Sequence, residues 1–345
     1  GVTGNITAQT LGFGNYLQDL TLNVDTGAIS GVSGSFSGYT TVNANAAQSN
    51  TVTGTGQSYV LDNTVANQGS SNGYNWSGFQ NITDATGTVN FGTAGSLAGN
   101  VTAQALNYAS YGTAVSLDLS NGSGATTGIG GTWSGVTSVT GSGHNDTVHG
   151  SSQTYNLTGA NAGGSGLLNW TSFENLSDST AGNFVFANGA SVSGTLAGGG
   201  AGTLDYSAYT TAVSVGLGGT ATGTSGWSGI TTAKGGSASD TISGSSQTYQ
   251  LTGANAGNNG VLSWTSFENL TDSAAGNFVF ANGAGVSGML TAGSAGTLDY
   301  SAYTTAVNVG LGGTATGTGG WSGITTAKGG SSSDTITGSS QTYTL

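Results

Sequence analysis

NLTGANAGGSGLLNWTSFENL, residues Asn156–Leu176, returns as QLTGANAGNNGVLSWTSFENL at Gln250–Leu270. The offset is 94 residues. Ser-Ser-Gln-Thr-Tyr stands before each copy, at Ser151–Tyr155 and Ser245–Tyr249, and comes back at Ser339–Tyr343. A diverged version, Gln57-Ser58-Tyr59, lies 96 residues before the first. Full copies therefore run 57–152, 153–246 and 247–340. Residues 1–56 read as the back part of an earlier copy, and 341–345 open another. Self-similarity on this scale marks an array whose units bury their apolar faces against one another. No linker composition separates the copies, so a single continuous solenoid over 1–345 is expected.

The tryptophans, at 76, 133, 170, 227, 264 and 321, carry a finer period, with gaps of 57, 37, 57, 37 and 57. Each opens the pattern Trp, two small or polar residues, then an apolar one, as in Trp170-Thr171-Ser172-Phe173 and Trp321-Ser322-Gly323-Ile324. Thirteen residues after five of the six, a polar residue starts a short strand pattern: Asp146-Thr147-Val148, Asn183-Phe184-Val185, Asp240-Thr241-Ile242, Asn277-Phe278-Val279 and Asp334-Thr335-Ile336. The repeat thus divides into 37 + 37 + 20 residues. The 20-residue piece is the size of one simple coil. Each 37-residue piece is two coils, or one coil with a long excursion.

Runs such as Val213-Ser214-Val215-Gly216-Leu217 alternate with period two and are bounded by Gly, Asn and Ser, as strands are. Glycines interrupt nearly every helical window, at about 1 kcal/mol each. The expected class is all-β: a parallel β-helix, right-handed, with about five coils per repeat. Roughly 18 coils at ~4.8 Å each make a rod of about 85 Å. Composition alone suggests disorder, with Gly at 66 of 345 residues. A flexible linker, however, has no use for aromatic residues at two alternating spacings.

Charge narrows the function classes. The chain has two Lys, no Arg, a net charge of -12 and only 5% charged residues, against roughly 25% in ordinary domains. A surface that tracks phosphates is excluded, so no nucleic-acid partner is expected. Without Cys there are no disulfides or thiolate metal sites. No apolar run reaches 18 residues, so no membrane insertion is expected. The chain reads as a mature product or a segment of something larger, since it opens without an initiator Met or a signal-peptide pattern.

Three stretches, Phe267-Glu268-Asn269-Leu270-Thr271, Gly296–Tyr303 (GTLDYSAY) and Gly330–Gly338 (GSSSDTITG), resemble repeats of giant bacterial surface and secreted proteins. That group includes filamentous-haemagglutinin-like adhesins and proteins with degenerate haemolysin-type calcium-binding repeats. The resemblance implies export to the cell surface or extracellular space, a parallel β-helix, and a role as stalk, adhesin or scaffold. The haemolysin-type nonapeptide is Gly-Gly-x-Gly-x-Asp-x-apolar-x. Gly235–Ser243 and Gly329–Thr337 match it except at the fourth position, and a weaker version ends in Asp146-Thr147-Val148. The resemblance therefore makes Asp146, Asp240 and Asp334 calcium candidates. Each copy is isolated, however, and lacks the partner turn with which the family holds calcium. The competing reading is an Asp that caps its own turn through backbone N–H groups. No other cofactor is expected. His144 and His149 do not recur and read as turn or surface residues.

Parallel β-helices include enzymes, so catalysis has to be weighed. A lyase needs cations to hold an acidic sugar, and they are nearly absent. A glycosidase needs two carboxylates, and Glu174 with Asp178, repeated as Glu268 with Asp272, are formally available, while Asp205 recurs in the same way as Asp299. Their repetition along an array favours structural positions over one asymmetric cleft, so no catalytic residue and no enzyme is expected. The expected function is a structural, rod-forming repeat segment of a bacterial extracellular protein, an adhesin stalk or a filament subunit. Its partners would be neighbouring segments or copies, placed end to end. The alternative is a carbohydrate- or surface-binding module that stacks surface glycans on exposed Trp and Tyr. Phe173, Phe267 and Ile324 are expected to point inward, and Glu268 to face solvent. Within Tyr206-Ser207-Ala208-Tyr209, one ring is expected inside and one at a corner.

Overall fold

A computed structural model describes residues 5–30, 35–61 and 64–339. The openings of the chain and of the last partial repeat, 341–345, lie outside the described residues, as does most of the third Ser-Ser-Gln-Thr-Tyr. All regular structure among the described residues is β, in an all-β solenoid of repeating parallel strand contacts. The residues group into two compact units, Gly1–Ser151 with Asn161–Ser177, and Ser152–Ala160 with Asp178–Leu345.

In the second unit the chain alternates between two stacks of strands. One stack runs Thr154–Gly159, Asn183–Phe186, the end of Thr195–Asp205, and the end of Gly226–Lys234, all parallel and in register. Ser263–Thr265 follows in parallel, then Ala256–Asn258 and Thr248–Gly253 antiparallel, and Asn277–Phe280 resumes the parallel order. The chain therefore climbs to Thr248, doubles back through two strands, and moves on. The other stack doubles back in the same way where Thr220–Ala221 lies antiparallel to Ser214–Gly216. These meanders resolve the 37-residue pieces as excursions. Windings begin at Asn183, Thr203, Thr232 and Thr248 before the register returns at Asn277, so there are four windings where about five coils were expected. The 20-residue piece is a simple coil, as Asn277 pairing with Thr297 illustrates.

The first unit is built alike. Thr10–Gly12, Thr41–Asn43 and Tyr74–Ser77 stack in parallel, Gln68–Ser71 and Ser58–Leu61 double back, and Thr88–Phe91 resumes the order. A second stack carries Thr21–Asn23, Thr51–Thr53, Asn81–Thr83 and Val101–Thr102.

Strand alternation sets the core. In Thr154–Gly159, Tyr155 and Leu157 are buried between exposed neighbours, and in Asn183–Phe186 both Phe residues are buried. Consecutive coils then stack rings. The Tyr155–Phe184 and Tyr249–Phe278 centroids are 5.1 Å apart, and Phe280–Tyr300 are 4.2 Å apart, all with nearly parallel ring planes. Phe173 and Phe267 are fully buried, as expected. Ile324 is only half-buried, because it lies on the last described coil, whereas its counterpart Ile230 is 2% exposed. Tyr206 and Tyr209 both point inward, in place of one inside and one at a corner. Their hydroxyls reach Thr222 O, at 2.7 Å, and Ala190 O, which satisfies both polar tips inside the fold.

Candidate functional site

The recurring carboxylates are the natural place to look for chemistry. In the first unit Asp146 is fully buried and accepts the Val115 amide at 2.7 Å, the Ser142 hydroxyl at 2.8 Å and the Ser142 amide. In the second unit, fully buried Asp240 accepts the Val213 amide at 2.7 Å and the Gly236 amide, and exposed Asp334 takes Val307 and Gly330 in the same way. Each carboxylate thus ties its own turn to the preceding coil. The Gly-Gly of the nonapeptide follows from this packing. A Cβ at Gly235 would sit 1.8 Å from Ser266 O and 2.6 Å from Asp240 Oδ2, and one at Gly236 would sit 2.4 Å from Tyr209 O.

Calcium requires six to eight oxygen ligands. Here both oxygens of each Asp accept backbone N–H groups. Among the described residues no three His, Asp or Glu side chains converge on one point. The amide bonds to each Asp are those of the turn-capping alternative. Burial, and secondarily the nearby Glu268, raises the Asp240 carboxyl above the ordinary Asp value. His144 and His149 are both exposed.

Glu268 departs from its expected place. Its Oε2 accepts the Asp240 amide at 2.8 Å and its Oε1 accepts Asn255 Nδ2 at 3.0 Å. Glu174 makes the same two bonds with Asp146 and Asn161. Strand alternation does not govern this residue, because it sits in the turn before strand Asn269–Asp272. There it is half-buried and bridges two coils.

A second carboxylate series explains Ser-Ser-Gln-Thr-Tyr. Buried Asp272 accepts the Ser246, Gln247 and Ala274 amides at 2.8 Å each and the Tyr249 hydroxyl at 3.0 Å. Asp178 collects Ser152, Gln153, Thr180 and Tyr155 alike. Asp84 collects Gly56, Gln57, Thr86 and Tyr59. Ser152 and Ser246 take the left-handed conformation, at φ 53° and 54°, that Gly56 takes at 68° in the first copy. Burial alone would raise these three carboxyls, but the converging amide donors outweigh it and hold them below the ordinary Asp value. Burial, then Asp272 beside it, pushes the Tyr249 hydroxyl up and keeps it a donor. The spacing from that Tyr to an Asp, 23 residues from Tyr155 to Asp178 and from Tyr249 to Asp272 and 25 from Tyr59 to Asp84, is the signal through which this cluster could have been found.

Asp205 and Asp299 pair across neighbouring strands with the chain's two lysines, Lys234 at 2.9 Å and Lys328 at 2.8 Å. The formal glycosidase carboxylates are therefore engaged with backbone amides, Asn side chains or lysines. The aromatic rings are likewise engaged, since no Trp, Tyr or Phe among the described residues is exposed. In comparisons with known proteins, no family model, no curated protein and no solved structure matches this chain.

Proposed function

We propose that this chain is a rod-forming structural repeat segment of a bacterial extracellular protein, an adhesin stalk or a filament subunit. Its kinship on this reading is with the filamentous-haemagglutinin-like and haemolysin-type repeat proteins that its sequence resembles. It is not an enzyme, its coils wind right-handed, as nearly all parallel crossovers do, and its partners are other segments of the same repeat.

One observation carries the proposal. Residues that recur in each copy bond within the fold, as Asp272 does to three amides and a tyrosine, and are not gathered around an open cleft. The scarcity of Lys and Arg supports an exposed location, since it offers few sites to proteases that cut after them. Having no exposed aromatic strip among the described residues leaves the glycan-binding alternative without the feature it requires.

Electron microscopy with an antibody against the chain, on cells that make it, tests the proposal. Label on extended structures outside the envelope is expected, and label confined to the cytoplasm would overturn it. Saturable binding to a glycan array would favour the alternative module.

A further inference from the structure

At the meanders, strand order in space departs from strand order in the chain. In a simple coil each strand pairs back to one that precedes it: Thr203–Asp205 to Asn183–Val185, and Thr232–Lys234 to Thr203–Asp205. Strand Thr248–Gly253 does not. The strand beside Thr232–Lys234 is Ser263–Thr265, and Ala256–Asn258 comes next. Thr248–Gly253 is third in line, roughly 14 Å from Thr232–Lys234 at ~4.8 Å per strand. Its strand partners, Ala256–Asn258 and Asn277–Phe280, both come later in the chain. So does Asp272, which takes the Ser246 and Gln247 amides and the Tyr249 hydroxyl from 23 to 26 residues further on. The other stack has the same design. Ser214–Gly216 pairs with Thr220–Ala221 and Thr241–Ser243, and Asp240 holds the Val213 amide from 27 residues further on. In the first unit, Ser58–Leu61 pairs with Gln68–Ser71 and Thr88–Phe91, and Asp84 holds Gly56, Gln57 and Tyr59.

We infer that each meander is an all-or-none block and that the later carboxylate is its latch. The opening strand gains no ladder partner from the part of the fold that precedes it. Fixing its backbone costs about 1–2 kcal/mol per residue, so it stays open until the gap-filling strands and the Asp arrive. Simple coils therefore add one winding at a time, whereas the stretch from Ser246 through Asp272 closes as one piece. In a chain made from its N-terminal side, growth of the solenoid pauses at each meander until the latching Asp has been made. The device follows from strand order alone, whatever the rod is for.

Refolding of the whole chain from denaturant, followed by pulsed amide exchange at residue resolution, tests this. Amides of Thr248–Gly253, Ala256–Asn258 and Ser263–Thr265 should gain protection in one phase, at one rate. Protection of Thr248–Gly253 in a separate phase from Ser263–Thr265 would overturn the block. A second arm uses native-state exchange and Leu251→Ala, which trims a side chain 1% exposed in the opening strand. Exchange should speed up by a common factor, about tenfold or more, in all three strands, and stay unchanged in Asn183–Phe186. Acceleration confined to Thr248–Gly253 would overturn the block as well. If Leu251→Ala does not fold, the refolding phases of the parent chain still decide. A parent chain with no protected strand would instead remove the rod reading itself.

Discussion

The two meanders of each repeat end on the same local pattern, Trp and then an apolar residue three places on, yet they treat the indole differently. In the set that includes Trp264, on strand Ser263–Thr265, the ring is 1% exposed and lies across Gly257 of the neighbouring strand. Its indole N–H is buried without a partner, as is that of Trp76, which lies across Gly69 in the first unit. In the other set Trp227 and Trp321 are half-buried, and each indole N–H donates at 2.9 Å to a carbonyl of its own meander, Thr220 O or Thr314 O. Trp133 donates to Thr126 Oγ1 at 3.1 Å. One motif thus serves as a core block in one stack and as a clasp at the surface in the other. The glycine on the adjacent strand makes the difference: it leaves room for a ring to lie flat inside, and the apolar contact there offsets an unsatisfied donor.

The largest expected effect separates the two sets directly. Trp264→Ala should cost about 3–5 kcal/mol in denaturant unfolding, from lost transfer energy and the cavity left behind. Trp227→Ala should cost about 1–2 kcal/mol, since it removes half-buried surface and one ordinary hydrogen bond. Equal losses would mean that the two meanders are energetically equivalent and that the division is wrong.

Next in size is the glycine under the ring. A Cβ at Gly257 would lie 2.5 Å from Gln250 O and 2.7 Å from Trp264 Cζ2, so Gly257→Ala should cost about 1–3 kcal/mol by overpacking. At Gly253 the nearest atom would be Ala256 Cβ at 3.9 Å, and Ala there should stay within about 0.5 kcal/mol of the parent. A harmless Gly257→Ala would show that the ring does not need the space.

Much of this division is legible in the amino-acid sequence, because the tryptophan spacing alternates only if two kinds of excursion alternate. The short strands expected to start at Asp146, Asn183, Asp240, Asn277 and Asp334, each thirteen residues after a Trp, are present, but at the three Asp positions the strand begins one residue later, at Thr147, Thr241 and Thr335, because the Asp side chain caps the turn before it. What is not legible is which neighbour a residue meets across coils. Glu268 reads as solvent-facing from its place beside buried Phe267, yet its bonds run to Asp240 and Asn255, 28 and 13 residues earlier. One ring of Tyr206 and Tyr209 reads as a corner residue, yet both lie inside, and the Tyr209 hydroxyl finds Ala190 O one coil away. Doubling back is also invisible locally, since a strand's direction in the stack leaves no mark on its alternation. The nonapeptide glycines read as part of a metal loop by family likeness, whereas the structure needs them for close approach to Ser266 O and Tyr209 O.

A smaller effect concerns pH and contrasts the two carboxylate series. Asp84, Asp178 and Asp272 have lowered folded-state values, so the stability they add is present above the ordinary Asp range and is lost as pH falls through those lowered values. Asp240 has a raised value, so its contribution has the opposite sign: protonation of the folded state favours folding, and the benefit fades as pH rises through that value. Melting temperature should therefore fall on acidification below about pH 4, the unperturbed Asp range. Asp272→Asn should make that fall shallower, and Asp240→Asn should not. A steeper acid loss in Asp272→Asn would contradict the assignment.

The most direct measurement is residue-resolved amide exchange around Asp272. If this carboxylate joins coils through the backbone, the Ser246, Gln247 and Ala274 amides should exchange slowly in the parent chain. All three should speed up together in Asp272→Asn, while the Ser301 amide, held by Asp299, should stay unchanged. Parent amides that exchange at the rate of an open loop would mean that the carboxylate is free for other chemistry, and the structural reading of the repeat would fail at its centre.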